Sequence, residues 1–246
     1  MSVRTQLTKA QNRRDFNKRT IQEDPNDIKR RRFYHDDLWG YFQRVWEIIE
    51  PETELSTNWH QELICEYLEE VAEGNIKKLL INIAPRHLKS ILVNVVFPTW
   101  MWVRYPGQRG MYLSYSGSLA NDMNDLRRQI IQSDFYQWLC PSLKLSNSKN
   151  RITEFENNYL GRMVARGLDA TVTGGGGSLL IFDDPNNPEK VESETIRNST
   201  LKKFRAYSTD RRNDPKNTAI VVIQQRTHQE DVSGYIQENI SGYTHL

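Results

Sequence analysis

The stretch 78–103 constrains this chain more than any other. An apolar run, KLLINI, feeds a short loop, APRHL, and the loop ends in Lys89-Ser90 at the head of a long apolar segment. A strand, a tight turn and a helix opening on Lys-Ser bring backbone N–H groups and a helix N-terminus to one point. That point attracts anions, phosphate above all. The lysine adds a mobile positive charge for β- and γ-phosphates, and the neighbouring hydroxyl suits Mg²⁺. The match to the pattern G-x-x-x-x-G-K-[ST] is partial, because Ile83 and Leu88 stand at the glycine positions. Taken alone, Lys-Ser is better read as an ordinary helix start.

The rest of the chain repeats the alternation. Strands are expected at 78–83, 110–116, near 151–156 and 159–165, at 178–182 and at 218–224, with another starting at 243–246. Helices are expected at 33–50, 58–73, 90–103, 118–132, 188–208 and 229–238. Strands separated by helices imply right-handed crossovers and an α/β fold with a mainly parallel sheet. The chain stops as that last strand begins, which reads as a sequence cut short of a longer protein.

Length and composition permit such a fold: 246 residues, 37% hydrophobic and 26% charged, describe a globular chain with a substantial core. A net charge of +2 says nothing about nucleic acid, but residues 1–32 hold ten Lys/Arg against four Asp/Glu. That asymmetry suits an arm laid on phosphate or an acidic partner, or simply a solvated terminus. Residues 1–50 therefore read as a basic arm plus an amphipathic helix packing on a core domain at 51–246. Two cysteines, Cys65 and Cys140, without metal-ligand spacing, fit a reducing compartment. The N-terminus has no signal-peptide pattern. The most apolar stretch, 91–103, is interrupted by Asn94 and Pro98 and is too short to span a bilayer. No membrane partner is expected.

A second constellation strengthens the first. Leu179-Leu180-Ile181-Phe182 is an apolar run ending in Asp183-Asp184-Pro185. In a phosphate-loop ATPase the Mg²⁺-organising acid is presented in this way, at the carboxyl end of a strand beside the loop. Asp183 would hold the ion, and Asp184 would orient and deprotonate the attacking water. Asp-Asp-Pro is also good turn chemistry, but the two blocks in this order argue together.

The loop Ala84-Pro85-Arg86-His87-Leu88-Lys89-Ser90 resembles the phosphate loop of tailed-phage large terminases, in which a Pro-Arg-His-x-Lys-Ser core is typical. Thr173-Gly174-Gly175-Gly176-Gly177 before Asp183-Asp184-Pro185 is similar to that family's Gly-rich turn and acidic strand end. Gln224-Gln225-Arg226-Thr227-His228-Gln229-Glu230-Asp231-Val232-Ser233-Gly234 resembles its coupling segment, Arg-x-His-x-x-Asp-x-x-Gly. The resemblance implies a RecA-like P-loop NTPase of the additional-strand class, with ATP and Mg²⁺ as cofactors. Nucleotide contacts would run from Pro85 through Arg86, His87, Leu88, Lys89 and Ser90 to Ile91. Ser90 and Asp183 would hold the metal, Asp184 would act as base, and Gln224, Gln225 and Arg226 would couple hydrolysis to motion. Gln225 and Thr227 depart from the family's usual residues. Arg226 and His228 would link this segment to a lid, or else serve as capping.

The same resemblance implies a viral motor that drives double-stranded DNA into a procapsid. It would be a homo-oligomeric ring working with a portal and a small terminase subunit in the host cytoplasm. An RNase H-like nuclease domain would lie beyond residue 246. An arginine given to the neighbouring subunit's γ-phosphate is expected at Arg166, with Arg162 as runner-up, or Arg86 acting in cis. Trp59 and Gln61 are candidates to stack on and pair with adenine, although Trp59 is as readily a core anchor. Arg104, Arg109, Arg127, Arg128, Lys202, Lys203, Arg211 and Arg212 are candidates for DNA backbone contact. Two other functions fit the residues: a nucleotide-binding regulatory module with negligible turnover, and a helicase-type motor.

Overall fold

Alternation along the central strands decides the layering, because successive side chains of a strand point to opposite faces. Leu79 and Ile81 on β1 (Lys78–Asn82), Leu179 and Ile181 on β6 (Leu179–Asp183), and Val221 and Ile223 on β7 (Ala219–Gln224) enter one apolar cluster. Their neighbours Leu80, Leu180, Phe182, Ile220 and Val222 enter another on the opposite face. A sheet apolar on both faces needs helices on both, and the result is a three-layer α/β/α sandwich. The computed structural model describes residues 24–170 and 176–246. Most of the basic arm, and Thr173, Gly174 and Gly175 of the Gly-rich turn, lie outside them.

In chain order the other elements are α1 (Pro25–Asp36), α2 (Leu38–Ile49), α3 (Trp59–Ala72), α4 (Phe97–Arg104), β2 (Arg109–Ser114), α5 (Gly117–Gln132), α6 (Asp134–Leu139), β3 (Leu145–Arg151), β4 (Glu154–Asn157), β5 (Arg162–Gly167), α7 (Glu194–Asp210), α8 (Val232–Asn239) and β8 (Thr244–His245). The sheet order is β3-β4-β5-β2-β6-β7-β1-β8. Pairing is parallel from β5 through β8 and antiparallel for β3–β4 and β4–β5. Helices α2 to α6 supply the first cluster, and α7 and α8 supply the second through Phe204, Tyr207, Val232 and Ile236. Phe204 meets Phe182 edge-on at 4.8 Å between ring centres. Strand β7 lies between β1 and β6, so the loop-bearing and acid-bearing strands are separated by one added strand. That is the P-loop arrangement expected from sequence.

Several boundaries differ from expectation, each for a local reason. The helix expected at 33–50 is broken at Asp37, which adopts extended backbone and caps α2 by accepting from the Gly40 N–H at 3.0 Å. The long polar helix starts at Glu194, after turns in which the carbonyls of Val191 and Glu192 accept from Arg197. Helix α8 starts at Val232 because Asp231 is its N-cap. Strand β3, LSNSKNR, was not anticipated, since a polar edge strand carries no apolar alternation; the expected 151–156 strand is the end of β3 plus β4. The strand expected at 159–165 is β5 at Arg162–Gly167, and the short α6 was also unanticipated.

The helix after loop 84–90 begins as a π-helix, Ile91–Val96, before continuing as α4. Pro98 has no N–H to return to the carbonyl of Asn94 four residues earlier, so the regular ladder cannot close there.

Candidate functional site

The loop 84–90 leaves the carboxyl end of β1 and turns back by placing Arg86 at φ 64° and Leu88 at φ 58°. Both lie in the left-handed region that glycine enters freely and other L-residues enter at a cost of about 1–2 kcal/mol. Leu88 therefore reproduces the backbone of the missing glycine rather than evading it. The His87 ring steadies the turn from inside, with Nδ1 2.8 Å from the Pro85 carbonyl and 3.2 Å from that of Ala84. Arg86 is exposed, whereas Lys89 is buried.

Across β7 the acid pair meets this loop. Lys89 Nζ lies 2.9 Å from Asp184 Oδ2. Ser90 Oγ donates to Asp183 Oδ1 at 2.9 Å, and Asn94 Nδ2 donates to Asp183 Oδ2 at 3.0 Å. Burial, then the charge of Asp184, push the Asp183 carboxyl up to about 6, against the hydrogen bonds from Asn94 and Ser90 and the charge of Lys89. Asp184 sits at φ 42°, held by its N–H on the Ile223 carbonyl and by the Gln225 N–H on its Oδ1 at 3.0 Å. Two adjacent carboxylates thus occupy different settings, one enclosed and bound on both oxygens, the other half-buried and paired with lysine.

The residues suit Mg²⁺. A hydroxyl and a carboxylate in contact are the hard oxygen donors this ion takes, and it ordinarily completes its shell with water and substrate phosphates. Among the described residues no group of three or more His, Cys, Asp or Glu is placed to hold a metal alone.

The segment after β7 is organised around one carboxylate. Asp231, fully buried, accepts from the backbone N–H groups of Thr227, His228 and Gly234 and from Arg226 Nε. Arg226 also donates to the carbonyls of His228 and Gln229. A Cβ on Gly234 would fall 1.9 Å from the Gln229 carbonyl oxygen, so only glycine fits. The spacing Arg-x-His-x-x-Asp-x-x-Gly is therefore the wiring diagram of a helix start, with Arg226 in a capping position. Gln224 is buried with both ends of its amide engaged: Nε2 donates to Asn186 and Oε1 accepts from Ser233. Of the two glutamines, Gln225 is the one that touches the acid pair.

Beside the loop is a cavity of about 420 Å³ lined by Trp59, His60, Asn82, Ile83, His87 and Leu246, among others. Trp59 is 72% exposed, which rules out the core-anchor reading. The His60 and His87 rings pack edge-to-face at 5.2 Å, and burial, then the charge of His87, hold His60 below the usual imidazole range. Gln61 does not line this cavity. Its Oε1 accepts from the Asn58 N–H and its Nε2 donates to the Ser56 carbonyl, completing a capping box for α3. The amide expected to read a base edge is a helix cap.

Arg166 stands near the carboxyl end of β5, on the same sheet edge as the site, with its guanidinium on the Thr153 and Ala165 carbonyls and 3.5 Å from Glu154. Arg162 begins that strand and pairs with Glu154 at 2.8 Å. Among the proposed DNA contacts, Arg127 must be withdrawn: it is 0% exposed. Arg104 is bound to Glu73 and lies over the Trp100 ring, Arg128 pairs with Asp125 and Asn150, and Lys203 pairs with Asp169. Among the described residues no helix is long and apolar enough to cross a membrane. Sequence reasoning overlooked Asn94 and Asn186 as neighbours of the site, and named Asp231 only as part of a motif, without the partners that converge on it. The detectable hint was Asn94, a polar residue inside the apolar run ILVNVVF.

No protein-family model matches the sequence, and no curated protein matches it. Among solved structures, the large terminase of bacteriophage HK97 superposes on 85% of this chain with a TM-score of 0.54 and 13% identity. The chain has the fold of a phage large terminase. It spans 43% of the length of that protein. Two further large terminases align more loosely. The ATPase domain from Thermus phage P74-26, as a point mutant, has TM-score 0.43 and 12% identity, over 69% of this chain and 65% of its own. The large terminase of another thermophilic bacteriophage, in complex with ATP-gamma-S, has TM-score 0.42 and 11% identity, over 73% and 43%. In this chain the loop and the acid pair described above occupy the carboxyl edge of the parallel strands.

Proposed function

We propose that this chain is the ATPase domain of a viral DNA-packaging motor, hydrolysing ATP to translocate double-stranded DNA. The observation that carries the reading is the meeting of Lys89 and Ser90 with Asp184 and Asp183 across the added strand β7. The backbone of the loop and the positive end of the following helix receive the phosphates. Lys89 exchanges Asp184 for the γ-phosphate, which frees Asp184 to take the proton of the attacking water. Ser90 and Asp183 would hold Mg²⁺, which when bound neutralises charge on the β- and γ-phosphates. Trp59, beside the 420 Å³ cavity, supplies a ring face for the base. Arg166 is the arginine we assign to a neighbouring subunit's γ-phosphate, and Arg86 is its alternative in cis. The ring, the portal and small-subunit partners, and contact with the DNA backbone follow from the likeness to large terminases.

A second reading, a nucleotide-binding module without appreciable turnover, is favoured by the left-handed Arg86 and Leu88, whose side chains stand where backbone should approach phosphate. Steady-state ATP hydrolysis against protein concentration separates the two. We expect a specific rate that climbs with concentration, and its loss by about 10²–10⁴-fold in Asp184→Asn, the range for a general base. Arg166→Ala should abolish the concentration-dependent part. Nucleotide binding without turnover in the wild type would favour the module. A rate flat in concentration and indifferent to Arg166 would move the arginine role to Arg86.

A further inference from the structure

Behind the acid pair lies a buried arginine, Arg127, that has no acid in hydrogen-bond contact among the described residues. Arg127, on α5, directs its hydrogen bonds to neutral groups. Nε donates to the Asn94 carbonyl at 2.6 Å, one terminal nitrogen to Asn94 Oδ1 at 2.5 Å, and the other to Asn124 Oδ1 at 2.6 Å. Its guanidinium carbon is 3.8 Å from the centre of the Tyr112 ring. A guanidinium so enclosed is commonly no better for stability than an apolar side chain of similar volume, so packing gives no reason for one here.

The contacts supply two reasons. The first is backbone: the Asn94 carbonyl, left without a partner from Pro98, receives Arg127 Nε. The second is the Asn94 side chain. An amide presents an oxygen at one end and an NH₂ at the other. With Oδ1 turned to Arg127, Nδ2 is turned to Asp183, where it donates to Oδ2 at 3.0 Å. The guanidinium and the carboxylate hold that orientation from opposite ends: a flipped amide would set its NH₂ against Arg127 and its oxygen against Asp183, and without Arg127 the oxygen end loses its anchor.

We infer that Arg127 is a positioning residue: through the Asn94 amide it fixes the Asp183 carboxylate with its other oxygen turned to Ser90, and so sets how tightly the site holds a divalent cation. The inference rests on the reading of Asp183 as the cation-holding acid, and the experiment separates the two. Mn²⁺ is titrated into the protein saturated with ADP, with free Mn²⁺ counted by electron paramagnetic resonance. ADP affinity is measured separately in EDTA. Arg127→Met and Asn94→Ala should each weaken Mn²⁺ binding about 10–100-fold, the usual effect of losing an outer-shell partner. ADP binding without metal should change less than about twofold, below the 1.4 kcal/mol of a tenfold effect. Arg127→Lys, which keeps one donor for Asn94 Oδ1, should recover part of the loss, and the double variant should be no worse than the weaker single. If Arg127→Met does not fold, Asn94→Ala decides: wild-type Mn²⁺ affinity there overturns the inference. A folded Arg127→Met with wild-type affinity also overturns it, leaving Arg127 only the carbonyl beside Pro98. Mn²⁺ binding that Asp183→Asn leaves intact would remove the reading of Asp183 itself and the inference with it.

Discussion

The loop after β1 and the segment after β7 leave the same edge of the sheet, flank Asp184, and each lead into a helix. The first, 84–90, is largely exposed, holds Arg86 and Leu88 in the left-handed region, and is steadied by one imidazole. The second, 225–231, is wound around the buried Asp231, which gathers three backbone N–H groups and a guanidinium. The difference is one of task. On the proposed function, a loop that closes around a phosphate cannot have its donors committed to a carboxylate of its own. A segment proposed to couple hydrolysis to motion would have to move as one piece, and the Gln225 N–H on Asp184 ties it directly to the acid pair.

The contrast is broken most severely at Asp231. Asp231→Ala removes a helix cap and leaves Arg226 and three amides without their acceptor. Urea unfolding should show a loss of about 2–4 kcal/mol, with the half-exposed Arg226 damping the ion-pair share. A loss below about 1 kcal/mol would mean the segment is not held by that carboxylate. Next comes the acid between the two. Burial favours the neutral form of Asp183, whose pKa rises from 3.8 to about 6. Its stabilising contribution is therefore full below about pH 4 and lost as pH rises through about 6, a swing of about 3 kcal/mol. Asp183→Asn should be more stable than the wild type at pH 7.5, by about 1–3 kcal/mol, and alike at pH 4. Equal unfolding midpoints at both pH values would contradict that burial.

Leu88→Gly sharpens the comparison from the other side. Relief of about 1–2 kcal/mol of left-handed strain is offset by the flexibility of glycine, about 0.5–1 kcal/mol, and by lost packing, so net stability should move little. Calorimetry should instead show tighter ATP binding, by several-fold, as backbone replaces side chain. Weaker binding would show that the leucine side chain itself serves the site. The smallest effect is expected at Trp59→Ala: stability within about 0.5 kcal/mol, as for an exposed side chain, and nucleotide affinity down by about the 0.5–1.5 kcal/mol of a ring contact. Unchanged affinity would take the cavity beside Trp59 out of the site.

What was legible in sequence follows the same division. Apolar alternation exposed the buried strands β1, β2, β6 and β7, and Lys89-Ser90 and Asp183-Asp184, which the fold brings into contact, stood out because their residue types are distinctive in short runs. Polar β3 was not, since an edge strand takes its partners from β4 rather than from its own pattern. Arg127 was read as a surface charge because residue type carries no burial. Gln61 was read as a base contact because a capping box and a binding site ask for the same amide. Asp231 looked like one polar residue of a motif, and only the fold shows four partners converging on it.

The position of β7 has one more consequence. Neighbouring strands lie about 4.8 Å apart, so the strands that end in loop 84–90 and in the acid pair stand about two such steps from each other. That span is a ruler cut by main-chain hydrogen bonding, the same whatever side chains line it. Lys89 and Ser90 reach across it to Asp184 and Asp183. Glycines can therefore disappear from this loop without the gauge changing. On the proposed function, a substitution can alter how a nucleotide is gripped, but only a change of strand order would alter the size of what fits.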